Sequence, residues 1–169
     1  INLEIPSLEG QSRAFSLANS PQTDDIVELN VRIVPGGQVT TWLHENLQVG
    51  EKLKLTGPYG RFFVKKSANL PLIFMAGGSG LSSPKSMIED LLAEGFDKPM
   101  TLVYGQRNRD ELYYDAEFRA LAEKHANFSY VPALSGEPEG SDWGGARGFV
   151  HDAAKGHFNN DFRGHKAYL

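Results

Sequence analysis

Apolar and polar positions alternate along the first third of the chain. In Ile26–Val34, the apolar Val27, Leu29, Val31 and Ile33 are interleaved with Glu28, Asn30 and Arg32, the period of a half-buried antiparallel strand. Leu53 and Leu55 repeat that pattern between Lys52, Lys54 and Thr56, and Phe62-Phe63-Val64 follows the turn signal Gly57-Pro58-Tyr59-Gly60. Between these segments, Thr40–Leu47 predicts a short helix. Short strands joined by glycine-rich turns predict a small antiparallel β-barrel over residues 1-67.

After Ala68 the pattern changes. Leu72-Ile73-Phe74-Met75-Ala76 is continuously apolar, as a strand covered on both faces requires. A glycine-rich turn follows. Then Pro84–Glu94 places Met87, Ile88, Leu91 and Leu92 on one helical face, with Gly95 as a stop. Met100–Gly105 is a second buried strand, Asp115–His125 a second helix with Phe118, Leu121 and Ala122 inward, and Phe128–Leu134 a third strand. This alternation is the βαβ grammar of an open parallel sheet and predicts an α/β domain over residues 68-169. Lys166–Leu169 reads as a strand just beginning. Neither end reads as finished, so the expectation is a two-domain fragment, an incomplete antiparallel β-barrel followed by an α/β parallel-sheet nucleotide-binding domain.

Composition narrows the function. A net charge of −4 provides no broad basic surface, so neither nucleic acid nor an anionic membrane is expected as a partner. The longest apolar run, near Leu70–Ala76, is too short to cross a bilayer, and no charged-then-apolar leader opens the chain. A cytoplasmic protein is the expectation. The chain has no cysteine, which excludes disulfides, thiol catalysis and a cysteine-held iron–sulfur cluster within these residues. The histidines (His44, His125, His151, His157, His165) lack the spacing of a metal site, and none is expected.

Glycines mark three candidate turns. Gly77-Gly78-Ser79-Gly80 lies between a buried strand and a helix, where small residues let backbone approach a pyrophosphate. It lacks the GK[ST] ending of a phosphate-cleaving loop and is not the usual GxGxxG, so alone it fits a packing turn equally well. Arg13-Ala14-Phe15-Ser16 offers a guanidinium for a phosphate and a serine beside a flat ring, or an ordinary strand with one charge. Gly36-Gly37-Gln38-Val39-Thr40 is an anion-binding turn or merely a loop.

The order and spacing of these motifs, with Gly57-Pro58-x-Gly60 between them, resemble the ferredoxin–NAD(P)H reductase family along the whole chain. Within it, Arg13–Asn19, Gly57–Phe63, Ala76–Ile88 and Phe149–Lys155 look most like the reductase component of bacterial phenol hydroxylases and related aromatic monooxygenases. The resemblance implies FAD and NADH as cofactors. Arg13 would bind the flavin phosphate region, Phe15 would lie against the flavin ring, and Ser16 would hydrogen-bond near flavin N5 as the catalytic residue. Ala14 and the backbone at Val31, Arg32 and Ile33, with Gly36, Gly37 and Thr40, would hold the rest of FAD. Gly77, Gly78, Ser79 and Gly80 would face NADH, and Gly105, Gln106 and Arg107 would line the same groove. Ser135 and Glu137 would meet the adenosine ribose, the acidic Glu137 favouring NADH over NADPH.

The same resemblance implies hydride transfer from NADH to FAD and onward transfer through a 2Fe-2S centre to a hydroxylase component of a monooxygenase. That centre would sit in a ferredoxin-like domain outside this fragment. Two departures stand out: Phe15 replaces the family's common tyrosine, and proline falls at Pro84, one place late, leaving the helix start open. A general flavin reductase, a flavohaemoglobin-type reductase module and a non-catalytic nucleotide-binding module remain as alternatives.

Overall fold

The computed structural model describes residues 1–23 and 25–169. In the first half, β1 (Asn2–Ile5) is flanked by β2 (Gln11–Ala14) and β3 (Lys54–Thr56), both antiparallel to it. Leu3 stands opposite Arg13 on one side and Leu55 on the other. Leu3 and Ile5 are buried with Val39 of α1 (Gln38–Glu45), and Phe15, Leu29, Trp42, Leu43 and Leu53 pack around them.

The alternating segment Ile26–Val34 does not ladder into this sheet; only Leu29 bridges, to Leu17. Both edges of β1 are already taken, so the segment's backbone finds other partners. Glu28 O accepts from Ala18 N (2.8 Å), Asn19 Oδ1 accepts from Glu28 N (2.9 Å), Val31 O accepts from the His44 ring (2.8 Å), and Thr40 Oγ1 accepts from Val34 N (3.1 Å). The alternation still sorts faces. Leu29 and Val31 line an apolar cavity with Leu3, Leu43, Leu53 and Leu55, while Glu28, Asn30 and Arg32 turn toward the second half. Phe62-Phe63-Val64 is likewise outside any ladder.

The second half is an open parallel sheet. Its strands are β4 (Leu72–Gly77), β5 (Met100–Gln106), β6 (Phe128–Leu134), β7 (Ala146–Arg147) and β8 (Lys166–Tyr168), in spatial order β7-β6-β5-β4-β8. α2 (Ser82–Ala93) and α3 (Asp115–Lys124) cover one face. There Phe74, Leu102, Tyr104 and Phe128 meet Leu81, Ile88, Leu91 and Phe118. α4 (Val150–His157) covers the other, where Ala153 and Ala154 lie against Val103 and Ala133. Residues one apart in each strand therefore face opposite cores, which is why these strands read as unbroken apolar runs.

α2 begins two residues before Pro84. A proline in the first turn removes only an N–H that has no intrahelical acceptor, so the late proline is accommodated. β7 and α4 were not foreseen as elements: β7 is two residues long, and α4 buries only two alanines. Tyr168 closes the sheet, stacked on Phe74 (centroids 5.4 Å apart) with its hydroxyl accepting from Lys65 N at 2.9 Å. The chain runs from β4 outward to β7 and then returns to β8 on the other side of β4. In such sheets ligands settle beyond the C-terminal strand ends, near the strand where the order reverses.

Candidate functional site

A cavity of about 470 Å³ opens at those C-terminal ends. β4 contributes Gly77, Gly78 and Ser79; β5 contributes Gly105, Gln106 and then Arg107; Ser135 follows β6. The first turn of α4 closes one wall with Gly148, Phe149 and Val150, and Arg32 reaches in from the first half. Gly78 has φ +56°, a conformation that favours glycine, and a Cβ there would meet nothing within 4 Å, so the turn leaves an open cradle. Gly105 has a different reason. A Cβ at that position would lie 3.0 Å from Val150 Cβ, so glycine lets α4 rest on β5. Gly80 falls outside the cavity wall.

Donors dominate this groove. The Arg32 and Arg107 side chains carry positive charge, the start of α4, whose cap residue Phe149 makes no side-chain hydrogen bond, adds to it, and Glu111 opposes it. Gln106 Nε2 donates to Tyr104 Oη (2.5 Å); burial pushes the Tyr104 hydroxyl up to about 12, so it stays protonated and fixes the carboxamide. Phe149 stands 63% exposed at the mouth, parallel to the His151 ring at 5.7 Å.

Ser135 lines the groove but Glu137 does not. Arg109 Nη2 donates to both Glu137 Oε1 (2.5 Å) and Asp142 Oδ1 (2.6 Å). Hydrogen bonding to Arg109 holds both carboxyls below their usual range and Arg109 above its own. Sequence reasoning missed Arg109, Glu111, Tyr113 and Phe149. Only Phe149 carried a readable signal, an aromatic directly after a glycine at the start of a helix.

A second cleft, about 460 Å³, runs between the halves. Phe15 and Ser16 line it with Pro58, Tyr59, Phe62 and, from α2, Ser83, Ser86 and Met87. It pairs flat apolar walls with hydroxyls and with the charged Arg61, Lys66 and Asp90. Arg13 and Ala14 lie exposed on β2, outside this lining, with Arg13 Nη1 donating to Ser12 O (2.8 Å). Val31 lines a smaller cavity with Asn30, His44 and Ser79, while Ile33 and Gly36 are exposed. Gly37 and Thr40 serve their own turn: Gly37 precedes α1, and Thr40 Oγ1 donates to Gly37 O (3.3 Å).

Between the two cavities runs a polar seam. Lys85 of α2, only 7% exposed, donates to Glu28 Oε2 (2.9 Å) and Ala18 O (3.2 Å) and pairs with Glu89 Oε1 (2.8 Å). Burial alone would lower the Lys85 ammonium, but the two carboxylates outweigh it and leave it raised. For Glu28, burial pulls upward and is outweighed by hydrogen bonds from Tyr114 and Lys85, so its carboxyl is held low. Tyr114 has φ +56°, which costs an aromatic residue about 1–2 kcal/mol. Its hydroxyl oxygen lies 2.6 Å from both Glu28 Oε1 and the Asn30 carboxamide. One hydroxyl proton serves one acceptor. With it on Glu28, a turned Asn30 carboxamide donates to Tyr114 Oη, giving Nδ2 the partner it otherwise lacks among the described residues.

Among the described residues, no group of three or more His, Asp or Glu is placed to hold a metal ion. No described helix is long and apolar enough to cross a membrane.

Two family models match the chain: an oxidoreductase FAD-binding domain over residues 1–64 and an oxidoreductase NAD-binding domain over residues 74–169. Over all 169 residues the chain is 55% identical to the phenol 2-monooxygenase reductase component DmpP of Pseudomonas sp. strain CF600, covering 48% of that protein. It is 50% identical, again over its full length, to the phenol hydroxylase P5 protein of Acinetobacter pittii strain PHEA-2, covering 48%. The crystal structure of the cytochrome P450 reductase GcoB from Amycolatopsis superposes with a TM-score of 0.85 at 32% identity, over 99% of this chain and 50% of that one. The chain thus spans about half the length of these relatives.

Proposed function

The chain belongs to the oxidoreductases that join an FAD-binding domain to an NAD-binding domain, and from that premise we propose that it passes electrons from NADH through FAD toward a partner protein. We take residues 1-67 as the flavin-binding part and 68-169 as the NADH-binding part. The observation that carries the reading is the groove at the sheet's C-terminal ends. An open glycine cradle at Gly78, the start of α4, Arg107, and Arg32 from the opposite half converge there on a space suited to a dinucleotide diphosphate.

When bound, NADH supplies a hydride, which FAD accepts and releases as single electrons. The residues of the chain bind and orient. Arg32 and Arg107 offset diphosphate charge, and Gly77, Gly78 and Gly105 keep that wall free of side chains. Ser135 meets the adenosine side. Phe15 packs a flat ring in the interdomain cleft and Ser16 offers it a hydrogen bond near the reacting position. Arg13, Ala14, Val31, Ile33, Gly36, Gly37 and Thr40 extend along the remainder of FAD. These residues contain no cysteine to hold a 2Fe-2S centre, and we assign that centre to a ferredoxin-like domain outside them. Likeness to two phenol hydroxylase components supports a monooxygenase hydroxylase as the final acceptor.

The test is a visible spectrum of the full-length protein without oxygen. Flavin bands that bleach on adding NADH are expected. A protein that retains FAD but keeps its bands with excess NADH would overturn the reading.

A further inference from the structure

Glu28, Asn30 and Arg32 occupy alternate positions on one side of an extended segment, and all three face the second half. Glu28 is gripped from two elements there, by Lys85 of α2 and by Tyr114 at the start of α3. Asn30 meets the same Tyr114 hydroxyl. Arg32, roughly 7 Å further along at the usual rise of a strand, enters the glycine-lined groove. Within the first half the segment is held by the Leu29 bridge to Leu17 and by hydrogen bonds at Glu28, Val31 and Val34, while the polar row itself is held from across the seam. Tyr114 holds an uncommon positive φ while its ring is engaged by Lys85 (4.8 Å) and lies edge-on to Phe118 (6.4 Å). Such strain persists where surrounding contacts over-determine it.

We propose that Tyr114 is a positioning residue: its hydroxyl fixes the register of residues 28–32 across the seam and so delivers the Arg32 guanidinium to the dinucleotide groove. This rests on the reading of that groove as the NADH site. It makes affinity for NADH depend on a tyrosine outside the groove wall. The mechanical order is Tyr114, then Glu28 and Asn30, then Arg32.

The experiment compares NADH-driven flavin reduction by the full-length protein and its Tyr114→Phe, Arg32→Ala and doubly substituted variants. Arg32→Ala is expected to raise KM for NADH roughly tenfold, the loss of one charged contact. Tyr114→Phe is expected to raise it severalfold with kcat near wild type, and the double variant to match Arg32→Ala alone, since coupled sites are not additive. Phe118→Leu loosens the packing beside Tyr114 while keeping the hydroxyl, and is expected to lower Tm with KM unchanged. The proposal is overturned if the two KM effects multiply, if Arg32→Ala leaves KM unchanged, or if Phe118→Leu raises KM as Tyr114→Phe does. Those results leave the NADH reading standing. A wild-type flavin that NADH does not reduce overturns both.

Discussion

The two halves of the molecule carry equally clear apolar patterns and bury them to different degrees. In the second, parallel strands are covered on both faces by α2, α3 and α4, and Phe74, Leu102, Val103 and Tyr104 are fully buried. In the first, Ile26, Val27, Ile33, Val34, Leu55, Phe62 and Phe63 remain exposed, and an apolar cavity of about 450 Å³ stands open. The second half owns the helices that cover its sheet. Among its described residues the first has one α-helix, of eight residues, and it draws on its neighbour through the Lys85 seam and the tie of Lys66 to Asp90 and Glu94. A pattern predicts which face is apolar; what covers that face depends on partners the pattern does not name.

Truncating one core residue in each half tests this contrast most directly. Phe74→Ala removes a ring with no exposure, stacked on Tyr168, and is expected to cost about 3–5 kcal/mol. Leu55→Ala, at a site 43% exposed, is expected to cost under about 1 kcal/mol. Urea unfolding of both variants measures the gap. Equal losses would mean that the first half is as tightly packed as the second.

Lys85→Met probes the dependence of one half on the other. It leaves Glu28 and Glu89 without their cation and is expected to cost about 1–3 kcal/mol at neutral pH, moderated by the partial exposure of both carboxylates. The sign with pH follows from the shifts. The Glu28 carboxyl is held low, so its stabilisation is present above its unfolded value and fades as pH falls through the carboxylate range. The Lys85 ammonium is held high, so its share persists through neutrality and fades only in alkali, as pH rises through the raised value. The stability difference from wild type should therefore shrink toward acid pH. A constant difference from neutrality into acid would place the cost in packing instead.

Legibility followed the same division. The strand and helix runs at 72–76, 100–105, 115–125 and 128–134 stand within two residues of the observed elements, because double-sided burial writes an unbroken apolar run. The Ile26–Val34 alternation was readable as two faces. Its polar row, however, faces another domain rather than water, and composition cannot distinguish these. Of the residues the motifs single out, Gly77, Gly78, Gly105 and Ser135 line one groove at the strand ends and Gly80 does not, whereas Arg32 comes from the segment read as flavin-binding. Glu111 and Tyr113 were not legible, since their convergence depends on the strand order.

Gly105→Ala sharpens the second half from within. The added Cβ would stand 3.0 Å from Val150 Cβ, so α4 must shift by a few tenths of an ångström, at about 1 kcal/mol or more. Because Val150 and Phe149 form a groove wall, a rise in KM for NADH is expected with the fall in Tm. Lost stability with an unchanged KM would make Gly105 a packing residue only.

The smallest effect concerns the nucleotide's ribose. Two carboxylates, Glu137 and Asp142, already occupy Arg109, so that cation is not free to receive a 2′-phosphate, and the trio is net negative beside Ser135. Wild type is therefore expected to use NADH more efficiently than NADPH. Glu137→Gln releases Arg109 from one carboxylate and removes one repelling charge. It should raise kcat/KM for NADPH severalfold and leave that for NADH within about twofold, since Glu137 lies outside the groove wall. Glu137→Arg should shift the ratio further in the same direction, and high salt should flatten both shifts. Steady-state rates with each nucleotide, at low and high ionic strength, measure this. A wild type with equal efficiencies, or variants whose ratio does not move, would place nucleotide selection elsewhere in the groove, with Arg109 serving only to fold the loop over Trp143.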